Sequence, residues 1–444
     1  MSRIALASIF SLFCISAVGV YAAGDRETKV RNDRKDVEAD DYWIYNDLDR
    51  GIAEAKKTGK PLLVVFRCIP CEACSKFDEQ VVRRDPLVRD LMDQFVPVRI
   101  VQANAMDLSL FQYDYDQSFA AFLMNADKTI YGRFGTRSGR DNEDQDMSME
   151  GFGKALAAAL ELHKKYPANR RQLAGKRGSA PLVKVPEEYP SLKGRYTSEL
   201  NYEGNVVQSC MHCHQVREAE RLAWRDRGSD IPDHVMYPYP MPAVLGLTMD
   251  PKEAATVSGV AAGSTAAADG FKPGDAILAL EGQPVISIAD VQWVLHNAGD
   301  PGALEAVVRR DGRPQKLTLT LTLDAGWRKR SDISWRATSW DLRRIATGGL
   351  SLEPASDEAR HRVKVSDGEM ALHVKGVGQY GNHAVAKRAG FQKGDILVRF
   401  DGRTDFDSES ELLTEVFRTK RAGDRVPVVV VRGERRLTLT LPLQ

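Results

Sequence analysis

Residues 60–77 read KPLLVVFRCIPCEACSKF, and this stretch decides the fold of the N-terminal part of the chain. An apolar run over 62–66 predicts a buried strand, and the residues that follow it predict a helix. Three cysteines, Cys68, Cys71 and Cys74, lie where the strand gives way to the helix. A thiolate at the start of a helix is stabilised by free N–H groups and by the helix dipole, which lowers the pKa of the thiol. The pattern therefore predicts reactive thiols at a strand-to-helix turn.

The segments around this stretch alternate between helix and strand. A helix is predicted over 47–59 and a second strand over 96–101. A hairpin follows over 119–135, and a well-formed helix over 148–166. This succession predicts an α/β domain over residues 42–166.

The stretch resembles the exported branch of the thioredoxin superfamily. The resemblance rests on Lys60-Pro61, the apolar strand, the Cys-x-x-Cys pair of Cys71 and Cys74, and Phe77. It implies that Cys71 is the attacking thiolate and that Cys74 resolves the mixed disulfide. Cys68 is an extra thiol and a candidate third partner.

Two positions depart from the thioredoxin pattern. Pro70 stands where the family usually has Trp, and Ser118 stands where the family has the cis-proline that faces the dithiol. A metal site and an inert remnant of the fold are the alternatives to a redox-active dithiol. A ferredoxin-type cluster would need a fourth cysteine nearby, and the sequence has none there.

A second cysteine cluster, QSCMHCHQV, occupies residues 208–216. Cys210, Cys213 and His214 have the Cys-x-x-Cys-His spacing of covalent haem attachment, in which two thiols bind the vinyl groups and the imidazole binds the iron. The motif predicts one haem c, and the segment resembles a small monohaem cytochrome c. Zinc is the alternative, held by the same three residues with His212 or His234. The two clusters are interpreted as two separate devices.

The second axial ligand of the iron is predicted to be Met241. This residue lies in YPYPMP, which resembles the Pro-flanked Met loop of small cytochromes c. Met236 and His234 are rival ligands, an open iron site is a third interpretation, and simple packing of Met241 is a fourth.

The C-terminal part contains an internal repeat. GFKPGDAILALEGQPV (270–285) aligns with GFQKGDILVRFDGRTD (390–405) at an offset of 120 residues, and LTLTL (317–321) recurs at 437–441 at the same offset. The repeats resemble the PDZ domains of exported bacterial HtrA-type proteins. That resemblance implies two partly open β-barrel or sandwich domains.

The PDZ resemblance also implies two peptide-binding loops, whose N–H groups bind a peptide carboxylate while the peptide adds to the sheet edge. A packing or scaffold role is the alternative. HtrA proteins carry a Ser-His-Asp protease domain, but this sequence has no Gly-x-Ser-Gly nucleophile turn, so protease activity is not expected. The predicted loop residues are Leu245, Gly246, Leu247, Gly349, Leu350, Ser351 and Leu352.

The N-terminus and the charge of the chain bear on location and partners. Arg3 is followed by an apolar run from Ile4 to about Val20 and then by small residues, which predicts a secretory signal peptide; a retained membrane anchor is the alternative. No other run is long and apolar enough to span a membrane. The chain has 62 basic and 61 acidic residues, a formal net charge of +1 that gives no support to a nucleic-acid partner. We expect an exported protein, in the periplasm or at the outer side of a bacterial inner membrane.

The predicted fold class is multidomain, with an α/β domain, a small helical module and two β domains. As a whole, the chain resembles an exported bacterial thioredoxin-plus-PDZ family, some members of which carry selenocysteine in the redox cluster. The predicted segments are a signal peptide (1–23), a disordered lead-in (24–41), a thioredoxin-like domain (42–166), a linker (167–195), a haem c segment (196–242), a first PDZ domain (243–323), a connector (324–345) and a second PDZ domain (346–444).

These predictions combine into one functional hypothesis and one alternative. The hypothesis is an exported redox protein, in which a thiol–disulfide oxidoreductase dithiol and a haem c exchange electrons with redox partner proteins while the PDZ domains dock exported proteins or peptides. The alternative is a non-enzymatic haem c electron-transfer or scaffold protein with a vestigial thioredoxin fold.

Overall fold

The computed structural model describes residues 25–71, 73–228, 230–310 and 312–444. The signal peptide predicted over 1–23 lies outside these residues. The described chain forms two compact units. The first contains the residues up to Ala219 together with Leu245–Leu323, and the second contains Glu220–Val244 together with Asp324–Gln444.

The first unit contains a five-stranded mixed sheet with the order β1-β3-β2-β4-β5. β2 runs parallel to β3, β4 runs antiparallel to β2, and β5 runs antiparallel to β4. All residues of the central strands β2 and β4 are buried, as the apolar run after Pro61 predicts. This sheet confirms the predicted α/β domain and its hairpin. Its strands are β1 (Ile44–Tyr45), β2 (Leu62–Arg67), β3 (Val96–Ile100), β4 (Phe119–Met124) and β5 (Ile130–Phe134).

Helices cover this sheet, and their local sequence explains their ends. Asp47 caps the helix that follows it and Ser148 caps another, each accepting a hydrogen bond from a backbone N–H of the first turn. The helices are α1 (25–39), α2 (Leu48–Thr58), α3 (Ser75–Val82), α4 (Arg89–Met92), α5 (Glu143–Asp146) and α6 (Met149–Lys164).

The structure differs from the prediction of a disordered lead-in over 24–41, because residues 25–39 form α1. Val30 and Val37 of this helix are buried. Its carboxylate Glu27 accepts hydrogen bonds from the backbone N–H groups of Val206 and Val207, so the helix is fixed to the segment before the second cysteine cluster.

The segment after α6 is packed, although the sequence predicts a linker over 167–195. It contains α7 (Arg170–Leu173) and two 3-10 turns, Ala174–Lys176 and Pro186–Glu188. The ammonium of Lys176 is buried, and its Nζ lies 2.8 Å from Oδ2 of Asp290 in the first repeat. A buried ion pair of this kind holds the segment and the first repeat together.

The first repeat completes the first unit. It has a four-stranded sheet in the order β11-β10-β8-β9 and a two-stranded sheet of β6 and β7. Its elements are β6 (Leu247–Met249), β7 (Val257–Val260), α11 (Thr265–Ala268), β8 (Asp275–Leu280), β9 (Gln283–Pro284), α12 (Ile288–Asn297), β10 (Gly302–Arg310) and β11 (Lys316–Leu323). The segment between the thioredoxin-like domain and this repeat contributes α8 (Val206–Ser209) and the start of α9 (Cys213–Asp226) to the first unit. The helix α10 (Asp233–Met236) and the 3-10 turn Pro242–Leu245 follow in the chain.

The second unit is built on a five-stranded sheet in the order β12-β13-β14-β15-β16. All its neighbouring strands are antiparallel. Its elements are the 3-10 turn Trp327–Arg330, α13 (Ser339–Thr347), β12 (Leu350–Pro354), α14 (Asp357–Val363), β13 (Leu372–Val377), the 3-10 turn Gly381–Ala384, α15 (Val385–Arg388), β14 (Ile396–Phe400), α16 (Glu409–Thr419), β15 (Arg425–Arg432) and β16 (Arg435–Pro442).

A buried aspartate shows why both repeats contain the Gly-Asp pair. The carboxylate of Asp275 binds the guanidinium of Arg310, with an Oδ1–Nε distance of 2.7 Å. Its counterpart Asp395, 120 residues further on, binds Arg432 at 2.6 Å. In each repeat the same arginine also donates to the carbonyl of the first glycine of the motif. The repeat seen in the sequence is therefore a repeat of structure.

The predicted helical haem module is not a separate body. The boundary between the two units falls after Ala219, inside α9, so residues 196–219 belong to the first unit and 220–242 to the second. In the described part of the chain, no helix has the length and apolarity needed to cross a bilayer.

Candidate functional site

The first cysteine cluster lies at the carboxyl end of β2, where the chain turns toward α3. The backbone N–H of Cys68 donates to the carbonyl of Ser118, the residue before β4, at 3.1 Å. The N–H of Cys71 donates to the carbonyl of Cys68, also at 3.1 Å. These two bonds form a tight turn that brings the thiols of Cys68 and Cys71 together beside Ser118.

Cys71 has the environment of a thiolate. Oγ of Ser118 lies 2.9 Å from its Sγ. The pKa of the Cys71 thiol is lowered to about 5, chiefly by the hydrogen bond from Cys68 and further by Ser118, by the N–H of Ala73 and by the charge of Arg67, against the opposing effect of burial. Donors that stabilise the charged form outweigh desolvation here, so the thiol is ionised at neutral pH.

Arg67 donates hydrogen bonds to this turn and belongs to a network of charged side chains. Its guanidinium donates to the carbonyl of Cys71 at 2.8 Å and to that of Ser118 at 3.0 Å. Its Nε lies 3.2 Å from Asp78 of α3, and Asp78 also binds Arg99 of β3 at 2.8 Å. All three charged side chains are buried, and such a network keeps its place only when every member is paired.

Cys68 connects the two cysteine clusters. Its Sγ lies 3.1 Å from Nδ1 of His212, a residue inside the second cluster. The pKa of the Cys68 thiol is raised well above its usual value, first by the hydrogen bond that it donates to Cys71, then by burial and by the charges of Cys71 and Cys213. Burial, with a smaller effect of His214, lowers the pKa of His212 to about 4, so its ring is neutral at pH 7.

Cys74 lies in the core. It is 1% exposed and packs in the apolar cluster that includes Phe77. Its backbone is left-handed, with φ of 59°, and it precedes the first residue of α3. The resemblance implies that Cys74 resolves the disulfide of Cys71, whereas the thiol that contributes most to the low pKa of Cys71 is Cys68.

The second cluster is buried against the loop that follows β3. Sγ of Cys210 lies 3.6 Å from the carbonyl oxygen of Val101. The hydroxyl of Tyr113 donates to Sγ of Cys213 at 2.9 Å. Burial, with a contribution from Cys213, raises the pKa of Cys210 to about 12, and burial raises that of Cys213 to about 11 although the hydrogen bond from Tyr113 opposes it.

The structure therefore corrects the interpretation of the clusters as two separate devices. Cys68 contacts His212 directly, although 144 residues separate them in the chain. The N–H of Ala103 donates to the carbonyl of Met211 at 2.9 Å, which fixes the second cluster to the thioredoxin-like domain. The two clusters form one site, which we call the thiol centre: Cys68, Cys71, Cys210, His212 and Cys213.

His212 and Tyr113 are functional candidates that the motif analysis does not single out as redox residues. In the sequence, His212 is a candidate only for the alternative zinc site, and Tyr113 lies in no local pattern that indicates a role. The position of Ser118 near the reactive thiols could be predicted, because the thioredoxin resemblance places this residue opposite the dithiol.

The thiols of the second cluster do not fit a haem in this arrangement. Covalent attachment needs both sulfurs at the edge of the porphyrin, whereas Cys210 is 4% exposed and packs against the Val101 carbonyl, and Cys213 lies under Tyr113. His214 is better placed, because its Nδ1 lies 3.0 Å from Glu218, the kind of partner that orients a ligating imidazole. Met241 belongs to the second unit, whereas His214 belongs to the first. Haem on Cys210 and Cys213, with His214 and Met241 as axial ligands, therefore stays a prediction.

The described residues contain no group of three or more His, Cys, Asp or Glu side chains that is arranged to hold a metal ion. The alternative of a zinc site therefore also stays a prediction.

The predicted peptide loop of the first repeat contains a glycine whose conformation and surroundings exclude a side chain. Gly246 has φ of 91°, and its carbonyl accepts a hydrogen bond from the N–H of Ala261 at 2.9 Å. Its neighbours Leu245 and Leu247 are buried. A side chain at position 246 would collide with Ser264, so both the conformation and the space require glycine there.

The corresponding edge of the second repeat is occupied by the chain itself. β12 is an edge strand, and on its outer side the carbonyl of Leu350 accepts from Oγ1 of Thr347 at 3.1 Å. The N–H of Leu352 donates to Oε1 of Glu409 at 2.7 Å. Glu409 also binds Arg343 of α13, with an Nε–Oε1 distance of 2.9 Å. The backbone groups of Gly349–Leu352 that a peptide strand would use therefore already have partners.

Comparison with known proteins agrees with two of these domains. A thioredoxin-like family model matches residues 43–126, and a PDZ domain model matches residues 243–321. A probable periplasmic serine endoprotease DegP-like of Pseudomonas savastanoi pv. phaseolicola is 27% identical over 196 residues, 44% of this chain and 38% of that protein. The metalloprotease MmpA of Caulobacter vibrioides is 40% identical over 100 residues, 22% of this chain and 24% of that protein. The solved structure of the HtrA-type protease AlgW with decapeptide has a TM-score of 0.18 at 23% identity, and the match covers 22% of this chain and 28% of that one.

The chain spans 38% and 24% of the lengths of these two curated relatives, so their activities are not carried over to it. The two family matches agree with the sheets, helices and loops described above. The chain thus combines a thioredoxin-like domain with a PDZ domain related to those of HtrA-type proteins.

Proposed function

We propose that this chain is an exported thiol–disulfide oxidoreductase in which Cys71 is the attacking thiolate and Cys68 is the resolving thiol. The observation that carries the proposal is the environment of Cys71, whose Sγ accepts from Cys68 and lies 2.9 Å from Ser118. A thiol that is ionised at neutral pH and partly exposed is the attacking group of disulfide exchange.

The exchange proceeds in two balanced steps. The thiolate of Cys71 attacks one sulfur of a substrate disulfide, which forms a mixed disulfide and releases one substrate thiolate. Cys68 then loses its proton and attacks the sulfur of Cys71, which releases the second substrate thiolate and leaves a Cys68–Cys71 disulfide. The substrate gains two electrons and the dithiol loses two; the reverse sequence oxidises a substrate dithiol.

His212 is the nearest base for the proton of Cys68 in the second step. Once Cys71 is in the mixed disulfide it no longer accepts from Cys68, and Nδ1 of His212, 3.1 Å from Sγ of Cys68, can take the proton in the tautomer that has its hydrogen on Nε2. In this scheme Cys74 packs the start of α3, and the Cys71–Cys74 dithiol implied by the thioredoxin resemblance is the competing assignment.

Location and partners follow from the domain composition. Two of the curated relatives are described as periplasmic, and a predicted signal peptide precedes the domains. An oxidising compartment permits a stable disulfide at the thiol centre. We assign partner docking to the first repeat, through the loop of Leu245, Gly246 and Leu247, because the equivalent edge of the second repeat is filled by Thr347 and Glu409.

The test is disulfide exchange by the purified, reduced full-length chain with a small aromatic disulfide as substrate. We expect Cys71→Ser to reduce the rate to the level without protein, and Cys74→Ala to leave most of it. Cys68→Ser should accumulate the mixed disulfide on Cys71, which mass spectrometry detects. An unchanged rate in Cys71→Ser would overturn the proposal.

Electron transfer by a haem c on Cys210, Cys213 and His214 is the second candidate. The contact between His214 and Glu218, which is suited to orienting an axial imidazole, is the observation in its favour. Purification from a host with haem maturation tests it: covalent haem gives a c-type absorption band that survives acid–acetone extraction, whereas a colourless product argues against it.

A further inference from the structure

We infer that Cys210 and Cys213 form a second dithiol, which exchanges disulfides with Cys68 and Cys71 inside the same chain. The inference rests on the proposed function and extends it, because it names the group that reduces the active disulfide. The thiol centre would then be a relay of four thiols rather than a single dithiol.

Two contacts support the relay. His212, which directly precedes Cys213, lies 3.1 Å from Sγ of Cys68 through its Nδ1. Tyr113 donates to Sγ of Cys213 at 2.9 Å. Cys213 is thus the chain neighbour of the residue that contacts Cys68, which places the second pair beside the first.

The second cluster is fixed in place by the thioredoxin-like domain. Oδ1 of Asn104 accepts from the N–H of Met211 at 2.8 Å, and Nδ2 of Asn104 donates to the carbonyl of Ser209 at 3.0 Å. Sγ of Cys210 packs against the carbonyl of Val101. The second cluster is therefore held by the loop after β3 through both side-chain and backbone hydrogen bonds.

The chemistry needs no further reagent. Starting from the Cys68–Cys71 disulfide, the thiolate of Cys213 attacks Sγ of Cys68 and releases the thiolate of Cys71. The thiolate of Cys210 then attacks Sγ of Cys213 and releases Cys68, which leaves a Cys210–Cys213 disulfide. The two thiol protons of the second pair pass to the surroundings or to Cys68, and two electrons pass from the second pair to the first.

Cys71 is the preferred leaving group in the first of these steps. While Cys68 is in a disulfide, the leaving thiolate of Cys71 still has two hydrogen-bond donors, Ser118, whose Oγ lies 2.9 Å from its Sγ, and the N–H of Ala73. A disulfide breaks faster when the sulfur that leaves is the more stable thiolate, so Cys213 is directed to attack Cys68.

The experiment traps the intermediate in the full-length chain. In Cys71→Ser/Cys210→Ser, mild oxidation should join Cys68 to Cys213, and proteolysis with mass spectrometry after alkylation of free thiols should show that link. The matched control Cys71→Ser/Cys213→Ser should show no link from Cys68 to Cys210. A thermal melt of each variant and of Cys74→Ala establishes that the variants are folded.

The unmodified chain gives an independent measurement that needs no substitution. When one equivalent of oxidant is added to the reduced protein, the relay predicts that the Cys210–Cys213 disulfide accumulates. Alkylation of both Cys68 and Cys213 in the trapping variant, or covalent haem on Cys210 and Cys213, would overturn the inference. If the relay fails while Cys71→Ser abolishes exchange with the external substrate, the proposed function still stands; if Cys71→Ser retains full exchange, it fails independently of the relay.

Discussion

The two Cys-x-x-Cys pairs, Cys68–Cys71 and Cys210–Cys213, contain the same chemical groups at the same spacing, but only the first pair contains a thiol whose pKa is lowered. The pKa of Cys71 is lowered to about 5, whereas those of Cys210 and Cys213 are raised to about 12 and about 11. The first thiol has donors from Cys68, Ser118 and Ala73. Cys213 has the hydroxyl of Tyr113 and is otherwise dominated by burial. The number of donors, more than the cysteine spacing, decides which thiol is reactive.

A position at the start of a helix is also not sufficient to lower the pKa of a cysteine. Cys213 is the first residue of α9, where a helix dipole favours a thiolate, yet its pKa is high because the sulfur is buried. Cys71 precedes α3 by several residues, and its thiolate is stabilised chiefly by the hydrogen bond from Cys68 and then by Ser118.

The largest effect on the exchange rate should come from removing the thiol of Cys71, whose pKa is lowered. Cys71→Ser should reduce exchange to background, while Cys213→Ser should leave the attack of Cys71 on an external disulfide intact, because the two thiols have different roles. Stopped-flow kinetics of the reduced variants with a chromogenic disulfide measures this. An equal loss of exchange rate in both variants would contradict the proposed difference between the two pairs.

A second prediction concerns the pH profile of alkylation. The rate constant for modification of Cys71 by iodoacetamide should rise with a midpoint near pH 5, because its pKa is about 5. Cys213 should stay unreactive until well above pH 9, because its pKa is about 11. Quantitative mass spectrometry of the modified peptides follows each residue, and a Cys71 midpoint at 8 or above would contradict the account.

The same shift predicts how stability depends on pH. An unfolded cysteine has a pKa of about 8.5, and the folded Cys71 has one of about 5, so the folded state binds fewer protons between these values. The stabilisation is complete above about pH 8.5 and is lost as the pH falls through about 5. The free energy of unfolding of the reduced protein should therefore rise with pH across this window more steeply than that of Cys71→Ser. Parallel curves for the two proteins would count against an ionised Cys71.

Ser118→Ala should have a moderate effect. Loss of one hydrogen bond to a charged group raises the pKa of Cys71 by about one unit, equivalent to about 1.4 kcal/mol. The alkylation midpoint of Cys71 should move upward by that amount, and the reactivity of Cys213 should not change. Ser118→Thr, which retains the hydroxyl, is the matched control.

The smallest effect is expected from Tyr113→Phe. It removes the hydroxyl that donates to Cys213 and leaves the ring, which packs against Phe66. The pKa of Cys213 should rise further, and the midpoint of Cys71 should stay where it is. A clear shift of the Cys71 midpoint would show that the two pairs are less distinct than their contacts imply.

Much of the fold follows from local sequence. The stretch 60–77 predicts β2 and the turn into α3, and the 120-residue repeat predicts two copies of one small domain, in each of which the structure shows the same buried Asp–Arg pair. These features are encoded by residues close together in the chain or by direct repetition. The helix α1 also had a local signal, since Glu27–Arg31 and Arg34–Glu38 are i,i+4 ion pairs.

The thiol centre could be predicted only in part, because tertiary contacts create it. Cys68 and His212 are 144 residues apart, and Tyr113 and Cys213 are 100 apart. No periodicity or spacing in either segment indicates that they meet. The hydrogen bonds from Thr347 and to Glu409 along β12 are likewise a property of packing, since the loop sequence by itself predicts a peptide-binding edge.

The most direct test of the central claim is the identity of the disulfide that the first cluster forms. Glu72 lies between Cys71 and Cys74 in the sequence, so a glutamyl endopeptidase separates the peptide of Cys68 and Cys71 from that of Cys74. After mild oxidation of the full-length chain with Cys210→Ser/Cys213→Ser and alkylation of free thiols, the account predicts a peptide with an internal Cys68–Cys71 disulfide and an alkylated Cys74. A cross-link between Cys71 and Cys74, with Cys68 alkylated, would contradict it.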